Sequence, residues 1–410
     1  MCREPPLVGA FLQGNTRMSD KAIPLDEIRS RLNELDDNLL QLLSERRKLS
    51  LQVAKSKVTT SKPVRDAERE QQLLVKLINN GEDKYNLDAP YITKIFHTII
   101  EDSVLLQQSY FQNLVNPKLA RKPLARVAFL GSKGSYSHLA SLEYFSRKNT
   151  ELVELNCEQF RDIITTVESG HADFGVLPIE NTSSGSINEV YDLLQHTSLY
   201  IVGEITERIE HCLVANGEMQ LEQIKTLYSH PQPHQQCSEF LHGLKGVKLE
   251  SCASTADAML KVKELDRDDV AAIGSSASGK LYGLQEIQGN IANQTENHTR
   301  FIVVARKPVE VSNQIPAKTT LIMSTSQEAG ALVETLLVLR KYEINMTKLE
   351  SRPILGNPWE EMFYVDLSAH LNTESMQAAL SELTQITKQV KVLGCYPIEN
   401  VKPVIPDLEA

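Results

Sequence analysis

Two cations on one helical face are the first sign of chemistry in this chain. Arg46 stands among Ile28, Leu32, Leu35, Leu39, Leu42, Leu49 and Val53, apolar residues at alternating four- and three-residue spacings. A charge on such a seam is costly unless it is paired or meets a ligand. Lys57 lies eleven residues further on, about 20° round the helix and ~16 Å along it. Two long cationic side chains there can converge on a dianion. Arg29, seventeen residues before Arg46, points ~100° away and would reach the same ligand only from a partner chain's helix. Asp66, Arg69 and Glu70 add carboxylates and a further cation, and Ser103 and Gln107 share a helix face at i, i+4. A coiled-coil-like dimerisation module with surface ion pairs would show the same pattern.

A second group of residues has a different character. Pro178 to Ile187 follows an apolar run and is dense in hydroxyls and amides (Asn181, Thr182, Ser183, Ser184, Ser186) ahead of a helix-like segment. Gly131 to His138 is a Gly/Ser loop between a strand and a helix, and Ser229-His230-Pro231-Gln232 precedes Gln235-Gln236. Polar turns at strand ends next to helix N-termini suit a small anion. They lack the GxGxxG and Walker A spacings, so neither a nicotinamide nor a nucleotide is implied, and no metal-ligand spacing occurs. A solute-binding module without catalysis would share these features.

Three frames must carry these residues. Residues 20–113 show only helical periodicity, which predicts helices from Leu25 to Val58, Val64 to Asn80 and Pro90 to Asn113. One very long helix in ~90 residues buries its seam best in a dimer. Residues 125–305 alternate strands and helices. The strands are expected at Arg126–Leu130, Phe174–Leu177, Leu199–Val202, Cys212–Val214, Thr226–Tyr228, Val270–Ile273 and Thr299–Ala305. That predicts an α/β domain of two lobes with a cleft, the chain returning to its first lobe near the end. Residues 317–398 read β-α-β-β-α-β, a ferredoxin-like α+β arrangement.

Net charge is −10 over 410 residues, which argues against a general nucleic-acid binder. No apolar run approaches the ~18 residues that a membrane span needs. The six cysteines are scattered, as reduced thiols of a cytoplasmic protein would be. Residues 1–19 read as a disordered leader, with Met18 an alternative start, and 399–410 as a loose tail.

Residues 25–108 resemble the all-helical chorismate mutase domain through Arg29, Glu45-Arg46-Arg47, Lys57, Pro63-Val64-Arg65-Asp66, Arg69-Glu70 and Glu101-Asp102-Ser103. The resemblance implies a three-helix intertwined dimer. Arg46, Lys57 and the other subunit's Arg29, with Arg69 assisting, would hold two substrate carboxylates. Lys57 and Gln107 would face the ether oxygen, and Asp66, Glu70 and Ser103 would position the ring hydroxyl and carboxylate. Those residue types fit a Claisen rearrangement, which needs a dianion held in a reactive chair and charge stabilised on the breaking C–O bond.

The loop at 131–138, the stretch at 178–187, Ser229-His230-Pro231-Gln232 and Thr299-Arg300-Phe301 resemble, in order, the signatures of prephenate dehydratase. That family's fold resembles the type II periplasmic-binding-protein architecture. The resemblance makes Thr299 the main catalytic residue, supplying or relaying a proton to the departing hydroxyl. Asn181, Ser229 and Gln236 would bind substrate, and Glu180 and Phe301 would line the cleft. Loss of carbon dioxide and a ring hydroxyl yields an aromatic ring, so hydroxyl and amide donors suffice and no strong base is required.

The last segment resembles an ACT-type amino-acid-sensing domain. Its motifs Gly330-Ala331-Leu332-Val333 and Glu350-Ser351-Arg352-Pro353 imply an allosteric phenylalanine site between two such domains. The domain order is similar to that of the bifunctional chorismate mutase/prephenate dehydratases, or P-proteins. The resemblance implies conversion of chorismate to prephenate and then to phenylpyruvate under phenylalanine feedback, without a cofactor, in a homodimer or higher oligomer. A non-catalytic regulatory protein, a mutase–dehydrogenase fusion and an arogenate-preferring dehydratase are the rivals.

Overall fold

The computed structural model describes residues 24–60, 62–117, 124–148, 150–354, 357 and 360–398. The expected leader and tail lie outside them. Three helices come first: α1 (Leu25–Thr60), α2 (Ala67–Tyr85) and α3 (Ala89–Val115). The second starts three residues later than expected because Asp66 is its N-cap, its carboxylate accepting from Arg69 N at 3.1 Å. It runs on to Tyr85, where Asn86 turns left-handed at φ 54° and ends it. Asp88 caps α3 in the same way, with Pro90 in the first turn.

The chain divides into two compact units after Gln52, within α1. In the first unit, Leu32, Leu35, Leu39, Leu42 and Leu49 are each more than half exposed along the helix. In the second, Ala54 from the last turns of α1 packs with Val64, Leu74, Ile100, Val104, Phe111 and Ile315.

The α/β region follows, built as two sheets. In chain order it contains β1 (Leu124–Leu130), α4 (Tyr136–Ser146), β2 (Glu151–Cys157), α5 (Phe160–Glu168), β3 (Phe174–Asn181), β4 (Gly185–Ser186), α6 (Asn188–His196) and β5 (Tyr200–Arg208). It continues with β6 (Cys212–Ala215), β7 (Thr226–Ser229), α7 (Pro231–Gln236), α8 (Ser238–His242), β8 (Lys248–Ser251), α9 (Thr255–Leu265), β9 (Val270–Gly274), α10 (Ser276–Tyr282), β10 (Gln285–Gln288) and β11 (His298–Ala305). One sheet runs β2-β1-β3-β11-β5 with β4 on β3, and the other β10-β6-β9-β7-β8. The chain leaves the first sheet after β5 and returns as β11, antiparallel between β3 and β5. This is the expected two-lobed plan.

The boundary of the stretch at 178–187 is corrected. Pro178, Ile179, Glu180 and Asn181 continue β3 rather than forming a turn, because β11 pairs with them through Asn181. The Gly131–His138 loop is not an open cradle either. Gly134 N donates to His138 Nδ1, Ser132 Oγ to Asp257 at 2.8 Å, and the Ser278 and Tyr282 hydroxyls to the carbonyls of Gly134 and Lys133. It ties the two lobes together.

The last region is β12 (Ala317–Thr325), α11 (Ala331–Lys341), β13 (Met346–Pro353), β14 (Glu361–Leu367), α12 (Glu374–Ile386) and β15 (Thr387–Pro397), with sheet order β13-β14-β12-β15, all antiparallel. That is the ferredoxin-like order. One sheet face lies under the two helices, with Leu321, Met323, Phe363 and Val365 packed against Val338 and Leu383. The other face sends Ile322, Met362, Tyr364, Leu393 and Tyr396 into one core with Leu177, Tyr191 and Ile302 of the first lobe. Gly394 makes that approach feasible, since a Cβ there would sit 2.1 Å from Ile201 O.

Candidate functional site

Two lobes meet over a cleft of about 280 Å³ lined by Ser183, Ser184, Gln232, Gln235, Gln236 and, from the return crossover, Ala292, Asn293, Gln294 and Asn297. Every polar residue of that lining is a neutral hydroxyl or amide. Gln232 Nε2 donates to Ser184 Oγ at 2.9 Å, joining the lobes across the mouth. Beside it, Asn181 on β3 faces Thr299 on β11 as a ladder pair. The Asn181 Nδ2 group donates to Thr299 Oγ1 at 2.9 Å and to Asn297 Oδ1 at 2.7 Å. Its Oδ1 accepts from Ser183 N, Ser184 N and Ser184 Oγ, and so shapes the turn that follows β3. Thr299 Oγ1 is therefore an acceptor within the fold, and its own hydrogen is free to donate. Asn181, Ser229 and Thr299 are all buried.

Two expected cleft residues are elsewhere. Phe301 lies two residues along β11 from Thr299 on the same side, sealed at 1% exposure in the core with Phe129, Tyr144 and Phe145. Glu180 is corrected as well. Adjacent strand residues point to opposite faces, and Glu180 pairs with Arg300 at 2.8 Å and Lys348 at 2.5 Å beneath the ferredoxin-like sheet. Arg300 also meets Asp366 (2.5 Å) and Glu204 (3.2 Å), and Lys318 meets Glu204 at 2.6 Å. Asp366 is buried, but Arg300 and Lys318 more than offset that burial and hold its pKa below the usual carboxylate value.

Sequence reasoning missed Ser184, Gln232 and Asn297, although the first two lie inside the quoted motifs and Asn297 is two residues before Thr299. It also gave Arg300 no role, for adjacency in a motif does not say which face a strand residue takes.

In the helical region, Lys57 Nζ donates to Val64 O at 2.5 Å. Burial lowers its pKa against the pull of Asp66 and Glu70. Glu70 is bridged by Arg65 at 3.2 Å, and Arg69 is exposed at the start of α2. Ser103 and Gln107 are buried one turn apart on α3, with Gln107 Nε2 donating to Ser103 O and its Oε1 unpartnered. Arg29 and Arg46 lie on α1 in the first unit, Arg29 3.7 Å from Asp26.

In the ferredoxin-like region, Gly330 is the N-cap of α11 at φ +90°, a conformation that L side chains resist. Ala331, Leu332 and Val333 form its first turn, Val333 at 59% exposure. The second motif is split between the two faces of edge strand β13. Glu350 pairs with Lys348 at 3.4 Å, and Arg352 makes a bidentate pair with Asp192 of α6 at 2.9–3.0 Å. Ser351 and Pro353, on the other face, are exposed. The Arg352 guanidinium thus ties this sheet to the first lobe.

Among the described residues no helix is long and apolar enough to cross a membrane, and no cluster of metal-ligating side chains occurs.

Comparison with known proteins matches residues 28–108 to the family Chorismate mutase type II and residues 127–309 to Prephenate dehydratase. A bifunctional chorismate mutase/prephenate dehydratase of Enterobacter agglomerans is 57% identical, over 93% of this chain and 98% of its own. That of Escherichia coli (strain K12) is 55% identical over the same shares. The solved prephenate dehydratase from Arthrobacter aurescens, in complex with L-Phe, aligns with a TM-score of 0.61 at 26% identity, over 69% of this chain and 93% of that one. The chain carries an isomerase and a lyase, and it belongs to the family of bifunctional chorismate mutase/prephenate dehydratases.

Proposed function

We propose that the helical region rearranges chorismate to prephenate and that the neutral cleft then removes carbon dioxide and the ring hydroxyl to leave phenylpyruvate. The observation that carries the second step is the Asn181–Thr299 bond. With Asn181 donating to its oxygen, Thr299 can turn its own hydrogen toward the departing hydroxyl. Ser229 and Gln236 face the same substrate from the second lobe. In the first step, Lys57 and Gln107 act at the ether oxygen, Asp66, Glu70 and Ser103 position the ring, and Arg46, Arg69 and the other subunit's Arg29 hold the carboxylates. The exposed leucine row of α1 supports a homodimer, since a row of that length is stable only when covered.

The ferredoxin-like region is read as an ACT-type sensor for phenylalanine. Val333, Leu337 and Leu349 are exposed beside Gly330 and along edge strand β13, an apolar surface suited to a second copy with the amino acid between them. The Arthrobacter aurescens relative with L-Phe is consistent with this. The cysteines described are free thiols, in keeping with a cytoplasmic enzyme.

The test is to incubate chorismate with the full-length chain and follow phenylpyruvate. Wild type should release it, while Thr299→Ala should accumulate prephenate at an unchanged rate of chorismate loss. Equal phenylpyruvate from both would remove Thr299 from the mechanism.

A further inference from the structure

His211 lies where the chain crosses from the first sheet to the second, between β5 and β6, and is 1% exposed. Its Nε2 is 2.8 Å from Gln236 Oε1. Its Nδ1 is 3.2 Å from the Tyr136 hydroxyl, which also stands 2.7 Å from Glu210 O. A carboxamide oxygen only accepts, so Nε2 carries a hydrogen. Burial pushes the imidazole pKa down and outweighs the Gln236 bond, so the ring is neutral and Nδ1 can only accept. Burial likewise keeps the Tyr136 phenol protonated. The Tyr136 hydroxyl gives its single hydrogen to Glu210 O, so the tautomer of the ring follows from its Nε2 contact with the Gln236 oxygen.

The consequence falls on Gln236. Its oxygen is engaged by His211, while its Nε2 is buried with no partner, and the side chain lines the cleft. A buried N–H left unpaired costs stability unless a ligand completes it. The reverse amide orientation would present a carbonyl dipole to a dianionic substrate.

We infer that His211 is a positioning residue for the dehydratase step: it turns the Gln236 amide so that Nε2 donates to a carboxylate of the substrate. This rests on the reading of the cleft as the dehydratase site. A donor to a carboxylate that binds alike before and during reaction acts on KM more than on kcat.

The experiment uses the full-length chain with prephenate, and chorismate mutase activity of the same chain reports folding. Gln236→Ala and His211→Leu should each raise KM about tenfold with kcat within about twofold. The double variant should be no worse than either, since both remove one interaction. His211→Gln places an N–H near the position of Nε2 and should recover most of the loss, whereas the shorter His211→Asn should not. A raised KM in Gln236→Ala with none in His211→Leu overturns the inference and leaves the cleft reading standing. No change in Gln236→Ala removes Gln236 from the site and the inference with it. Should His211→Leu not fold, equal KM values for His211→Gln and His211→Asn would still overturn it.

Discussion

Asn181–Thr299 and Glu180–Arg300 are consecutive pairs of one ladder, yet they belong to different worlds. The first pair lies beside the cleft, bonded to Asn297 of its lining, is uncharged, and leaves a threonine hydrogen to spare. The second faces the ferredoxin-like sheet and gathers Arg300, Lys348 and Lys318 around Glu180, Glu204 and Asp366. The pleat separates them. A carboxylate on the cleft side would repel a dianionic substrate, and a neutral amide in place of Arg300 would leave Asp366 without its ion pair. One residue of register thus divides chemistry from cohesion.

The largest effect expected of breaking this division comes from Arg300→Met. Removing one partner of a buried ionic cluster leaves carboxylates uncompensated, at a cost of about 3–5 kcal/mol. Denaturant unfolding should show it, and a loss below ~1 kcal/mol would mean that the cluster is not structural. Thr299→Ala is the mirror case. Loss of one donor aimed at the reacting group lowers turnover about a hundredfold, while the Asn181 amide keeps Asn297 Oδ1 and His298 O as partners. Its unfolding midpoint should therefore hardly move. A variant that lost stability and turnover together would erase the contrast between the faces. Smaller still is Lys348→Met, whose partners Glu180 and Glu350 are each about a quarter exposed. It should cost about 1 kcal/mol.

The sequence made the long α1 and the β-α-β-β-α-β order legible because apolar periodicity runs through them, interrupted in α1 by Arg46. It could not show β8 and β10, four-residue strands written Lys-Leu-Glu-Ser and Gln-Glu-Ile-Gln, which exist only because β7 and β6 offer them a ladder. The motif Thr299-Arg300-Phe301 was visible as a unit, but its three side chains go to the cleft, the ion cluster and the core. His211 carried no signal, since its partners lie 75 positions before and 25 after it.

Strand β5 repeats the contrast with two carboxylates. Glu204 is held by Lys318 and Arg300 on the cohesive face, whereas Glu207 is opposite Thr299 in the ladder. Burial and Glu143 push the Glu207 pKa from 4.5 up to about 7, with Arg147 opposing. A carboxyl whose folded pKa is raised binds its proton more tightly in the folded state. Its neutral form is compatible with folding below the unfolded pKa, and stability falls as pH rises from about 4.5 to about 7. A shift of that size would carry ~3 kcal/mol in a fully buried site, but Glu207 is only half-buried, and screening reduces it to about 1 kcal/mol. Glu207→Gln removes the titrating group. The variant should be about 1 kcal/mol more stable than wild type at pH 8 and equal to it at pH 4, read from unfolding midpoints at both. A gain of the same size at both pH values would show that packing, not ionisation, distinguishes Glu207 from Glu204.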